Sequence, residues 1–185
     1  MSANSNSVYL PIGLDGYELC APTRPQDFER LNREIDGRPR AESWNPIIVK
    51  VIAQEGGVPL QRSDAPWLGS HALILGEAAV EIMHPLISAN CELLPLTCRD
   101  RKLVVCNASL AAEALDEQAS TATRFDDGRI MMIDKYVFRG DQVRKADIFK
   151  IPNLRVSPTF VGDRFVERWA AAGLSGLAFK KVWGI

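Results

Sequence analysis

Short β-like runs and helix-like patterns follow one another along this chain without regular alternation, and that order constrains the fold most. "VYLPIG" and "GYELCAP" read as strands around a glycine turn, followed by a helix in "TRPQDFERLNREIDG". Next come a strand over Asn45 to Gln54, a long loop "EGGVPLQRSDAPWLG", a short strand "HALIL" and a helix "GEAAVEIMHPLISA" bent or broken at Pro85. "CELLPLTC" and "KLVVCNA" form two strands joined at Arg99-Asp100-Arg101. A short helix "SLAAEALDE", a strand Arg129 to Arg139, and extended pieces "RKADIFKIP" and "VSPTFVG" follow. "DRFVERWAAAG" is a helix and "SGLAFKKVW" a closing strand. A doubly wound parallel sheet needs strand and helix to alternate. The reading is therefore α+β: a mixed, mostly antiparallel sheet with a few helices packed on it.

Local chemistry sharpens some of these elements. In the first helix Thr23 is placed to cap, with Gln26 reaching back, and Phe28, Leu31 and Ile35 share one side. Its opposite face, with Asp27, Glu29, Arg30, Arg33 and Glu34, is expected in solvent. Ala78, Ile82, Met83 and Leu86 give the second helix its apolar side, and Asp163 reads as the N-cap of the last one. Residues 1–7 are small and polar, and fraying is expected there.

With 185 residues the chain reads as one domain, 1–185, large enough to bury roughly 70% of its unfolded surface. Apolar residues make up 46% and charged ones 24%, which excludes a disordered chain. The net charge of −1 builds in no strong pull toward nucleic acid or anionic lipid. Residues 1–90 nevertheless hold 7 basic and 11 acidic side chains, against 15 and 12 in the remainder, so a mild acidic excess could face a basic partner. The start lacks a basic region and a long apolar run, and no stretch of 18 apolar residues exists; a cytoplasmic chain with no membrane span is expected. Cys20, Cys91, Cys98 and Cys106 form no C-x-x-C pair, and only His71 and His84 could join them. Reduced thiols are expected rather than a zinc site.

The strand "RIMMIDKYVFR" poses a question. Both alternate sets of its side chains are mostly apolar, which predicts cover on both faces, yet Asp134 and Lys135 sit in its middle. Metal-dependent nucleases of the restriction type use an acid and a lysine one spacer apart. Adjacent strand residues point to opposite faces, so these two cannot serve one site, and a structural role is the better reading. There is no G-x-S-x-G elbow, no phosphate loop and no dinucleotide fingerprint. "RDRK" at 99–102 lacks aromatic neighbours for a nucleic-acid platform. No catalytic residue, cofactor or metal is assigned, which moves weight from enzymes to binding proteins.

Four stretches together resemble a known family: residues 66–98 with "ELLPL", 110–120, 124–152 with "GRIMMIDKYVF" and "IFKIP", and 158–183 with "FVGDRFVERWAAAGLSGLAFKKVW". The family is the eleventh immunity-protein family of bacterial polymorphic toxin systems, earlier catalogued as a domain of unknown function. The likeness covers roughly residues 44–185, while 1–43 match less clearly. It implies a small cytosolic inhibitor that binds a cognate protein toxin and neutralises it by contact, without catalysis. Such a toxin would be an antibacterial effector, such as a nuclease delivered by a secretion system. Direct binding of nucleic acid is not expected. An adaptor for the toxin, or a hydrolytic enzyme with an unrecognised site, stands as the alternative. Since inhibitors of basic nucleases often present acidic surface, the toxin-binding candidates are Asp15, Asp27, Glu29, Glu34, Asp36 and Glu42, with Trp44 as an anchor.

Overall fold

A computed structural model describes residues 6–184. The elements run β1 (Ser7–Gly13), β2 (Leu19–Pro22), α1 (Gln26–Glu34), β3 (Val49–Ile52), β4 (Gln54–Glu55), β5 (Val58–Pro59), β6 (Ile74–Gly76) and α2 (Glu77–Ile87). They continue with β7 (Cys91–Leu96), β8 (Leu103–Ala108), β9 (Thr121–Arg124), β10 (Ile130–Lys135), α3 (Gly140–Val143), β11 (Ile148–Phe149), β12 (Phe160–Gly162), α4 (Asp163–Ala171) and β13 (Leu177–Gly184). One sheet has the order β11-β12-β1-β13 and a second β6-β8-β7; β2–β3, β4–β5 and β9–β10 are separate pairs. Every one of these pairings is antiparallel, and the fold is α+β.

Strand β8 shows how the sequence pattern builds the core. Leu103 and Val105 point to one face, where Leu31 and Ile35 of α1 and Val49 of β3 pack on them. Cys106 and Ala108 belong to the opposite face, filled by Met83 and Ile87 of α2 and by Phe165 and Trp169 of α4. Cover on both sides is why "KLVVCNA" is a continuous apolar run. A third cluster is aromatic: Phe160 lies 5.3 Å from the Tyr136 and Phe138 rings and 5.5 Å from Phe149. Edge and offset contacts of this kind add to the area that the rings bury.

The β7–β8 hairpin, α4 and β13 stand where the sequence places them. Several other expectations need correction. β1 and β2 do not pair with each other; β1 joins β12 and β13, and β2 joins β3. The expected loop after Gln54 begins as the β4–β5 hairpin, because Gly56 (φ 55°) and Gly57 (φ 81°) supply the two positive φ angles of a tight turn. "SLAAEALDE" is not a helix. Its backbone is drawn into a bridge between Leu110 and Lys150, and Ala111 N–H donates to Lys150 O at 2.8 Å. Helix α2 runs unbroken through Pro85 and buries Ala79, Met83 and Ile87, leaving Ala78 exposed.

Side chains depart from expectation in the same way. Phe28 is 46% exposed while Asp27 is only 2% exposed, so the two sides of α1 are rotated from the expected split. Thr23 does not cap α1; its hydroxyl donates to Ile48 O at 3.2 Å, and Pro25 holds the cap position. Asp163 is the first residue of α4 rather than its cap, and its carboxylate accepts Ser7 N–H (2.7 Å) and Tyr9 O–H (3.0 Å). Of the start expected to fray, residues 1–5 lie outside the described residues, whereas Asn6 and Ser7 are buried.

The strand with the acid and the base is resolved by its partner. Among the described residues β10 pairs only with β9, in a two-stranded ribbon whose register shifts between Ile130 and Met132 and again between Ile133 and Lys135. The shifts break the two-residue period. Ile130 and Ile133 turn inward, while Met131 and Met132 are 51% and 53% exposed. Asp134 and Lys135 are therefore exposed, not enclosed; Thr123 O–H donates to Asp134 at 3.2 Å. The expectation of cover on both faces fails because a ribbon of two strands has nothing on its outer side.

Candidate functional site

A groove of about 720 Å³ runs between α1 and the segment 151–157. Its first wall is the end of α1 and the turn after it, with Glu29, Asn32, Arg33, Asp36 and Arg38. Its second is Ile151, Pro152, Leu154, Arg155, Val156 and Ser157, with Leu110 and Ile35 at the floor. The groove is therefore apolar at the bottom and charged at the rim.

The first wall is held by a buried amide. The turn after α1 passes through Gly37, whose φ of 82° lies in the left-handed region that glycine tolerates. A Cβ there would come within 2.7 Å of Ala108 O, so the turn can sit this close to β8 only as glycine. Gly37 N–H donates to Asn107 Oδ1 at 2.8 Å; Asn107 Nδ2 donates to Arg38 O at 2.7 Å and to Glu92 at 3.1 Å. Glu92 also accepts Arg40 N–H (2.8 Å) and Ala41 N–H (3.2 Å). Asn107 and Glu92 are opposite each other on β8 and β7. Two neighbouring polar side chains thus dock five residues of irregular backbone onto a sheet.

The second wall is held by a buried lysine. Lys150 is fully buried, and its ammonium donates to His71 O at 2.6 Å and Ser157 O at 2.7 Å. Its backbone is fixed as well, since Lys150 N–H donates to Ser109 O at 3.0 Å. One residue therefore ties together the segments around 71, 109, 150 and 157. Burial pulls the Lys150 ammonium down to about 7, against which the nearby Cys91, Cys106 and Asp36 act in the opposite sense. Burial, aided by the charge of Lys150, pushes His71 down to about 4. Both are shifted toward their neutral forms, as expected of cations withdrawn from water. The thiol of Cys106 is pushed well up by its hydrogen bond with Cys91 and by burial, and burial raises Cys20 to about 12; neither is poised as a nucleophile.

Of the residues proposed from sequence, the groove brings together Glu29 and Asp36 only. Asp15 and Glu42 are exposed elsewhere. Asp27 is buried and forks with Arg24 at 2.9 and 3.2 Å, so it is not the solvated acid the helix pattern implied. Glu34 is held by Arg30 at 3.0 Å and by Arg33 at 3.3 Å. Trp44 is engaged within the chain: its indole N–H donates to Pro95 O at 2.7 Å, and Arg30 lies 5.1 Å over its ring. Trp44→Phe should cost about 1 kcal/mol, the net worth of one such bond, read as a lower urea midpoint. An unchanged midpoint would show that water replaces the bond at no cost.

Sequence reasoning missed Asn107, Lys150 and Arg155. Lys150 carried a signal, since a lysine between Ile148, Phe149 and Ile151 interrupts an otherwise apolar run. Asn107 and Arg155 carried none. Among the described residues no cluster of three or more His, Cys, Asp or Glu is placed to hold a metal, and no helix is long and apolar enough to cross a membrane.

No curated protein matches the chain. A family model does match, and its range includes Asn107, Leu110, Lys150 and Arg155 but not the α1 wall of the groove. Residues 104–183 match an immunity protein family (Imm11), the family that the sequence resembles.

Proposed function

We propose that this chain is an immunity protein that binds and neutralises a cognate bacterial toxin in the cytoplasm, by protein–protein contact and without catalysis. The match of residues 104–183 to an immunity protein family carries the reading. The groove supports it: it is a mixed apolar and charged surface whose walls are fixed by Asn107 and Lys150. Inhibition needs only an interface of roughly 1,200–2,000 Å² over the toxin's active site or over a surface that it must move. A nuclease effector delivered by a secretion system is the toxin class we favour. Glu29 and Asp36 are the acidic candidates that fall on the groove; Asp36 is held there by Arg40 and Arg38, and Asp27, off the groove, is held by Arg24. Nucleic acid is not a direct ligand in this reading.

The test is co-expression with the toxin encoded beside this chain, scoring growth and co-purification together. Rescued growth with a stable complex is expected. Co-purification without rescue would make the protein an adaptor, and neither would end the immunity reading.

A further inference from the structure

The acidic excess of the first half suggests a protein that offers carboxylates to a basic partner. The ion pairs around the groove point the other way. Glu34 is shared by two guanidinium groups, Arg30 and Arg33. Asp36 is likewise shared by Arg40 at 3.0 Å and Arg38 at 3.8 Å. Each carboxylate neutralises one of its two arginines and leaves the other in surplus. The surplus partners, Arg33 and Arg38, are the more exposed of each pair, and both lie on the groove rim. Arg155 faces them from the opposite wall, exposed and in no ion pair among the described residues. Against these three stands Glu29 as the one rim acid outside an ion pair among the described residues. The rim is thus a cationic jaw around Leu110 at the floor and Val156 on the second wall, both exposed.

We infer that the groove receives a segment of the partner protein in which carboxylate side chains flank an apolar one. This rests on the immunity reading and gives its contact a polarity opposite to the one composition implies. Guanidinium groups suit carboxylates because their fork matches both oxygens. An apolar side chain on Leu110 and Val156 would remove exposed hydrophobic surface from water. Nucleic acid shares the negative charge but lacks a seat: no lining residue is aromatic, so unpaired bases have no stacking platform.

The experiment compares the unaltered protein with the triple reversal Arg33→Glu, Arg38→Glu, Arg155→Glu. A double change on the β9–β10 ribbon, which does not line the groove, Met131→Asp with Met132→Asp, serves as the contrast. Association with the toxin encoded beside this chain is followed by surface-immobilised kinetics at about 50 mM and 500 mM salt. The groove reversal should slow association on the order of tenfold at low salt, with the gap narrowing at high salt. The ribbon change should stay within about twofold. All altered side chains are exposed, so unfolding midpoints should agree closely, and that is checked first. A conservative Arg33→Lys, Arg38→Lys, Arg155→Lys protein should keep the salt dependence. Equal binding by the reversal overturns the inference while leaving the immunity reading intact, and so does a loss confined to the ribbon variant. So would tight binding of a single-stranded oligonucleotide that the reversal abolishes, or a self-association that it abolishes. Failure of the unaltered protein to bind ends the immunity reading and this inference with it.

Discussion

Lys150→Met should make the folding stability of this protein lose a pH dependence that the unaltered chain has. In the folded state the Lys150 ammonium is pulled down to about 7 by burial, from an ordinary 10.5. Between those values the unfolded chain holds a proton that the folded chain has released, so stability rises with pH from this group. Below 7 both states are protonated and the cost of burying the charge is fully present. From pH 7 to pH 9.5 the unaltered protein should gain about 3 kcal/mol relative to Lys150→Met, at roughly 1.4 kcal/mol for each tenfold step in acidity. Thiols and phenols also titrate in this range, with Cys20 raised to about 12 and Tyr136 raised by burial, and these groups act in the opposite sense. Cys20 and Tyr136 are common to both proteins and cancel in the difference, while Cys106, whose rise the Lys150 charge opposes, leaves only the part of its titration that depends on Lys150. Urea unfolding of both proteins under reducing conditions at the two pH values gives the number. A constant difference would mean that water reaches the ammonium and that Lys150 titrates normally.

Asn107→Leu is expected to cost about 3 kcal/mol. The leucine fills a similar volume but leaves Gly37 N–H and Arg38 O without their partner in a part-buried turn, and each orphaned backbone group costs about 1–3 kcal/mol. The strand itself should survive, because Asn107 pairs with Glu92 through the β7–β8 backbone ladder. The loss should therefore appear locally, as faster hydrogen exchange over residues 36–41, and as weaker toxin binding although Asn107 does not line the groove. Asn107→Asp separates the roles of the two amide atoms. It keeps an acceptor for Gly37 N–H but places a carboxylate where the Nδ2 donor sits 3.1 Å from Glu92. Burial and that repulsion raise the new acid in the folded state, so its penalty is present at neutral pH and recedes as the pH falls. Wild-type protection of residues 36–41 in Asn107→Leu would show that the turn is held by other contacts.

The parts legible in the sequence are those where local preference and packing agree. In "DRFVERWAAAG" the buried Phe165 and Trp169 are four apart, and the helix stops before Gly173 at φ 66°. "CELLPLTC" and "KLVVCNA" are joined by the charged turn Arg99-Asp100-Arg101, of which Arg101 is drawn in only because Glu18 pairs with it. The failures arise where a distant partner decides. "SLAAEALDE" has helix-forming residues, but Lys150 holds Leu110 in a bridge. The Asp134 strand looks buried by composition, and only its register shifts put Met131 and Met132 outside. On α1, the pairing of Asp27 with Arg24 turned an expected surface acid inward and left Phe28 out. The groove combines all three kinds of failure: one wall depends on a β8 amide, the other on a buried ammonium, and its sign depends on which arginines share a carboxylate.

The β1–β13 pairing has a consequence in time. Gly13 pairs with Leu177 and Ser7 with Gly184, so the first strand made in this sheet waits for the last. During synthesis, at about 5–20 residues per second, β1 has no long partner for on the order of ten seconds. Its only other neighbour, β12, is also made late. Closing so long a loop is slow compared with local contacts. The α1 wall of the groove is thus among the first parts made, yet the sheet flanking the aromatic cluster is among the last to close. On the proposed immunity reading, protection comes only from chains made past β13, so a stock must be in place before the toxin arrives.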